Sequence, residues 1–210
     1  MKITEIHIYQ IDLPVKGGSY KMASDEVFTL DSTIIKLVTD TGLEGYGETC
    51  PIGPVYQPMH APGARAALSE MAPRLLGKNP LLIDKFYRAM HTALNGHNYA
   101  KAALDIACWD IAGKHYGARV CDLLGGALRE NVESYYATGV NTAERTAKIV
   151  QEKIAEGYKR IQVKVGGRNV EEDIETIKRV GEVSYQLERK LTATCVPGSH
   201  HGWTTHAKSQ

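Results

Sequence analysis

Apolar and polar positions alternate at two different periods along this chain, and the order of those periods predicts its architecture. From Lys2 to Leu13, Ile3, Ile6, Ile8 and Ile11 alternate imperfectly with polar neighbours up to Pro14, which predicts a strand. Val15 to Asp31 contains Gly17, Gly18 and few apolar clusters, and reads as a mobile loop. Thr33 to Asp40 is β-branched, Asp40-Thr41-Gly42 forms a turn, and Leu43 to Glu48 returns as the next strand. These segments make a small antiparallel meander. An irregular stretch with Pro51, Gly53, Pro54, Pro58 and Pro62 separates it from a helical region.

In that region the period lengthens. Ala64 to Leu76 predicts a helix closed by Gly77 at its C′ position. Asn79-Pro80 supplies an N-cap and a first-turn proline for a second helix, with Leu82, Phe86, Met90 and Ala93 on its buried face. A third helix, Tyr99 to Tyr116, carries Ala100, Ala103, Leu104, Ala107 and Ile111 along one side and ends at Gly117. So many alanines on one face imply a close approach to another helix or to the sheet. Past Leu123-Leu124-Gly125-Gly126 the pattern changes to strand and helix in alternation. Val132 to Val140 reads as a strand. Asn141 with Glu144 caps a helix whose inner stripe is Ala143, Ala147, Val150 and Ile154. Asn169 with Glu172 caps another, with Val170, Ile174 and Ile177 inward, and a further strand begins near Leu191. Two successive βαβ units imply a parallel sheet covered by helices. Residues 1–126 are expected to form an α+β domain, and residues 127–210 a separate β/α part.

Between those two helices lies Arg160-Ile161-Gln162-Val163-Lys164-Val165. Ile161, Val163 and Val165 share one face, and Arg160, Gln162 and Lys164 share the other. On a sheet edge the polar face is simply wet. In a β/α barrel it points into the barrel, and a lysine at the carboxyl end of the strand stands where such barrels place catalytic groups. A lysine in that position loses charge stabilisation, its pKa falls, and it can act as a general base. Gln162 points the same way, able to bond a substrate or steer the lysine.

Composition narrows the function classes. Twenty-five basic and 24 acidic side chains leave a formal charge of +1, which argues against a nucleic-acid or membrane surface. No segment approaches the ~18 apolar residues of a membrane span, and the charged amino terminus lacks a signal-peptide core. The four cysteines are scattered without a CxxC pair, so a reducing cytoplasm is expected and neither disulfides nor zinc is indicated. Other candidates have ordinary readings beside the functional one. Tyr56 offers an aromatic wall for a cationic ligand, or a loop anchor. Gly166-Gly167 before a helix offers an anion cradle, or a tight turn. Asp105 and Asp110 point in different directions around their helix and suit structural pairing. His200, His201 and His206 match no metal-helix spacing.

The run Ala100-Lys101-Ala102-Ala103-Leu104-Asp105-Ile106-Ala107-Cys108-Trp109-Asp110-Ile111-Ala112-Gly113-Lys114, continuing to Leu123-Leu124-Gly125-Gly126, resembles the signature of the mandelate racemase and muconate lactonizing branch of the enolase superfamily. Arg119 departs from a proline or small residue in that pattern. The resemblance runs from Met1 to about Glu182. It implies an α+β capping domain followed by the first part of a β/α (TIM-type) barrel. It also implies a reaction that removes the proton alpha to a carboxylate, with magnesium holding the enediolate. The family's strand motif is Lys-x-Lys, its second lysine being the base. Here Lys164 matches that base and Gln162 departs. With Gly47 to Tyr56 and Gly96 to Lys101, the chain is similar to the subgroup acting on proline derivatives: the hydroxyproline and proline betaine epimerases and the cis-3-hydroxyproline dehydratases. In the epimerases, the tyrosine matching Tyr56 packs against a quaternary ammonium.

The family's first magnesium ligand belongs to an Asp-x-Asn motif after the third barrel strand. Aligned on Gly202-Trp203-Thr204-Thr205, its aspartate falls on Gly198 and its asparagine on His200, which points to an altered or misread segment. Only about three of the eight strands of such a barrel are present. Magnesium is therefore expected of the full-length family, with its ligands lacking in this chain, as is a homo-oligomer. The 210 residues by themselves are expected to be an inactive, truncated piece.

Overall fold

The computed structural model describes residues 1–22, 25–186 and 192–195. The first apolar run is β1 (Ile3–Pro14). The stretch read as a loop carries a two-stranded ribbon, β2 (Tyr20–Lys21) with β3 (Glu26–Val27). β4 (Thr29–Thr39) and β5 (Glu44–Thr49) complete an antiparallel sheet in the order β1-β4-β5. β4 begins at Thr29, earlier than the predicted Thr33, because Thr29, Leu30 and Asp31 extend the ladder opposite Pro14, Leu13 and Asp12.

Three helices cover one face of this sheet: α1 (Ala61–Leu75), α2 (Ile83–Ala93) and α3 (Asn98–Tyr116). α1 takes in Pro62, which fits the first turn because its missing N–H has no helical partner there. Asn79 does not cap α2. Its side chain accepts from the Leu81 N–H at 3.0 Å, a local turn that delays the helix to Ile83 and leaves Leu82 49% exposed. The alanine stripe of α3 is fully buried, as its spacing predicts. It meets two glycines of β5. A Cβ on Gly45 would stand 2.2 Å from the Ala107 carbonyl oxygen, and one on Gly47 would stand 1.9 Å from that of Ala103. Sheet and helix therefore touch backbone to backbone. Asp110 is structural: its carboxylate accepts from the Tyr46 N–H at 2.9 Å and from Lys114 Nζ at 2.7 Å. Arg119 stands at the N-cap of the short α4 (Val120–Leu123) and makes two bonds to Asp122, at 2.8 and 2.9 Å.

The remaining elements are β6 (Tyr136–Ala137), α5 (Ala143–Ala155), β7 (Ile161–Val165), α6 (Val170–Gln186) and β8 (Thr192–Cys195). The strands form a parallel sheet in the order β6-β7-β8, the start of a β/α barrel. β6 is far shorter than the predicted Val132–Val140, and Val132 is 86% exposed. Ile161, Val163 and Val165 pack with Val150 and Val180 under the helices. The N-cap of α5 is Thr142 rather than Asn141, its hydroxyl accepting from the Arg145 N–H at 3.3 Å.

The inner face of α6 also differs from expectation: Val170, Ile174 and Ile177 are exposed, while Thr176 and Val180 are buried. A polar network sets this rotation. Asp173 accepts from the Gly166 N–H (2.8 Å) and from Arg168 Nε (2.7 Å), and Arg168 also donates to the Thr176 hydroxyl (2.7 Å) and the Asn141 carbonyl. Asp173, Thr176 and Val180 share one helical face, so anchoring the first two turns the third inward.

By packing, Met1–Gly18 and Val27–Glu130 form one unit, and Ser19–Glu26 goes with the residues from Asn131 onward. The β2 strand thus belongs with the β/α elements.

Candidate active site around Lys164

β7 is the middle strand of its sheet, which settles the reading of its alternation: the apolar face lies under α5 and α6, and Gln162 and Lys164 occupy the opposite face. Both side chains are partly buried there. The strand is tied to its neighbour through Thr138, a fully buried residue just past β6. The Thr138 N–H donates to the Gln162 carbonyl at 2.9 Å, and the Lys164 N–H donates to the Thr138 hydroxyl at 3.2 Å. On the other side, Lys164 stands in register with Thr194 of β8.

Lys164 Nζ lies over the Tyr20 ring, 4.3 Å from its centroid. Burial pushes the Lys164 pKa below its ordinary value, by disfavouring the charged form. The sequence points to Lys164 and Gln162 but not to Tyr20 or Thr138. Tyr20 sits in a stretch whose glycines and polar residues read as loop, and its one signal is an aromatic side chain in a long connection. Thr138 is hidden as an ordinary residue of a longer predicted strand.

Tyr56 belongs to the first unit, in the irregular segment before α1, and is 52% exposed. Gly166-Gly167 is a tight turn, with positive φ at both residues (106° and 76°). The Gly166 N–H already donates to the Asp173 carboxylate, so the chain fills this position with its own anion. Among the described residues no three His, Cys, Asp or Glu side chains converge to hold a metal. The described residues thus do not fit a magnesium site. Gly198, His200, His201 and His206 lie outside them. No described helix is long and apolar enough to cross a membrane.

Residues 4–125 match the mandelate racemase/muconate lactonizing enzyme N-terminal domain. The chain belongs to this family. A cis-3-hydroxy-L-proline dehydratase of Roseibium aggregatum is 43% identical over 207 residues, covering 98% of this chain and 55% of that protein. The N-succinyl-L-Arg/Lys racemase of Bacillus cereus is 36% identical over 87% of this chain and 49% of its own length. The crystal structure of a Bacillus cereus N-succinyl Arg/Lys racemase superposes with a TM-score of 0.86 at 32% identity, over 92% of this chain and 52% of that one. An enolase-superfamily member of Roseovarius nubinhibens, solved in complex with magnesium, gives 0.80 at 34% identity, over 91% of this chain and 52% of that one. The chain spans about half the length of the relatives it matches. In family terms, the first unit is the capping domain and β6 to β8 are the opening strands of the barrel.

Proposed function

We propose that this chain carries the capping domain and the base-bearing strand of an enzyme that removes the proton alpha to a carboxylate, acting on a proline-type amino acid or betaine. The observation that supports this reading is Lys164. It is a partly buried lysine on the face of a central parallel strand opposite α5 and α6, with its pKa lowered by burial. A lysine must be neutral to accept a proton, and desolvation favours the neutral amine. Its lone pair takes the alpha proton, and the electrons of the broken C–H bond pass into the carboxylate as an enediolate. Return of a proton from the opposite face gives epimerisation. Loss of a β-hydroxyl gives dehydration: the enediolate electrons form the Cα–Cβ double bond, the C–O bond breaks, and the oxygen leaves as water with the proton that Lys164 had taken up. The opposite base and any magnesium ligands would come from outside the described residues. Gln162, on the same face of β7, is proposed to bond the substrate or orient Lys164. Tyr56 is proposed to pack against its ammonium group.

The similarity to a dehydratase acting on cis-3-hydroxy-L-proline supports the choice of substrate class. Because the chain matches about half of its relatives, the 210 residues alone are proposed not to turn over. The test is deuterium wash-in at Cα, followed by proton NMR in heavy water with magnesium present, on cis-3-hydroxy-L-proline and proline betaine. The chain alone should give none. The chain joined to the second half of the Roseibium relative should give exchange, and the product then shows whether water is lost. Exchange by the chain alone that disappears in Lys164→Ala would overturn the fragment reading. A folded joined protein that exchanges neither compound would overturn the substrate class.

A further inference from the structure

We infer that Tyr20 is a positioning residue for Lys164: its ring face receives the ammonium that Lys164 becomes on taking up a proton. The inference rests on Lys164 as the base. At the carboxyl end of β7, Nζ lies 4.3 Å from the ring centroid, well inside the ~6 Å over which a cation is attracted to an aromatic face. Next to the ring, the Lys21 carbonyl passes 3.7 Å from where a Cβ on Gly139 would stand, just beyond β6. The ribbon's own charges are engaged with each other: Glu26 pairs with Lys21 at 3.7 Å and accepts from the Ser19 hydroxyl at 2.5 Å.

No carboxylate among the described residues pairs with Lys164. Thr138, whose hydroxyl accepts from the Lys164 N–H, and Gln162, on the same face of β7, are both uncharged. That matters for a base acting next to a carboxylate. An acidic partner would hold the lysine protonated and repel an anionic substrate. An aromatic face carries no net charge and does neither. Its attraction is to the cation, so it is felt after proton transfer far more than before it. An interaction that strengthens as the reaction proceeds lowers the barrier, whereas one equal in both states does not. Burial disfavours the charged form, and the ring offsets part of that cost once the charge is present.

The test uses the 210-residue protein and needs no turnover. Lysine side chains are labelled with carbon-13, and Lys164 is assigned by the resonance lost in Lys164→Arg. In the native protein the Lys164 Cε protons should be shifted upfield by the ring current. Tyr20→Phe should keep that shift and the titration midpoint of Lys164. Tyr20→Leu should lose the shift and lower the midpoint by about 0.4–1.5 units, since only the charged form loses its partner. Tyr20→Trp, which enlarges the face, should raise the midpoint, and it provides the measurement if the leucine variant perturbs β7. A midpoint that does not move in a folded Tyr20→Leu, or one that rises, overturns the inference. Failure of Lys164 as the base would appear instead as unchanged exchange by Lys164→Ala in the joined enzyme, leaving the ring-current result intact.

Discussion

Lys101 places a charge inside the capping domain's core, at 2% exposure, with one long contact from Nζ to His91 Nδ1 at 3.4 Å. His91 Nε2 is itself buried and has no partner among the described residues. Burial holds the Lys101 pKa below its ordinary 10.5. Between the depressed folded value and 10.5 the unfolded chain binds more protons, so stability rises with pH across that interval. Below the folded value the full desolvation penalty is present. Chemical denaturation from pH 7 to 10.5 should therefore show a gain in the native protein relative to Lys101→Met. The slope should reach at most about 1.4 kcal/mol per pH unit. Parallel curves for the two proteins would contradict it. At this scale the sequence is partly legible. Lys164 and Gln162 are readable because a period of two fixes which face a side chain takes. The roles of Lys101 and Tyr20 are not, because burial and ring contact depend on partners distant in sequence.

Between elements, the tightest contact is the approach of β5 to α3. Its cause is the pairing of Gly45 and Gly47 with Ala107 and Ala103. Gly47→Ala puts a methyl group into a backbone carbonyl, and neither strand nor helix can yield cheaply. It should destabilise the capping domain by roughly 3 kcal/mol or more, at the upper end of overpacking costs. Thermal unfolding followed by the fluorescence of Trp109, which α3 carries, checks this, and an unchanged midpoint would refute the close approach. The alanine stripe announces that approach, but nothing in the predicted strand Leu43 to Glu48 marks its glycines as the partner. Element ends are less legible for an allied reason. Asn79 and Asn141 both look like caps, yet the side chain of one and the carbonyl of the other are engaged elsewhere, and Leu82 and Thr142 take the position. Apolar spacing misplaces the face of α6 because the Arg168–Asp173–Thr176 network sets its rotation.

At the scale of the molecule, two units divide the labour that the family resemblance implies: a capping domain, and barrel strands that bear Lys164. The order of elements is legible because strand and helix periods differ and glycine or proline marks the joins. The return of Ser19–Glu26 to the second unit is not legible, since no local pattern reports which distant sheet a ribbon will meet. The central claim is that Lys164 is the base. Its most direct test is the rate of deuterium wash-in at the substrate Cα, measured in the joined enzyme with Lys164 and with Lys164→Ala. The expected result is a fall of about 10²–10⁴-fold, with the amide spectrum of the fold retained. Wash-in at an unchanged rate in the alanine variant would contradict it.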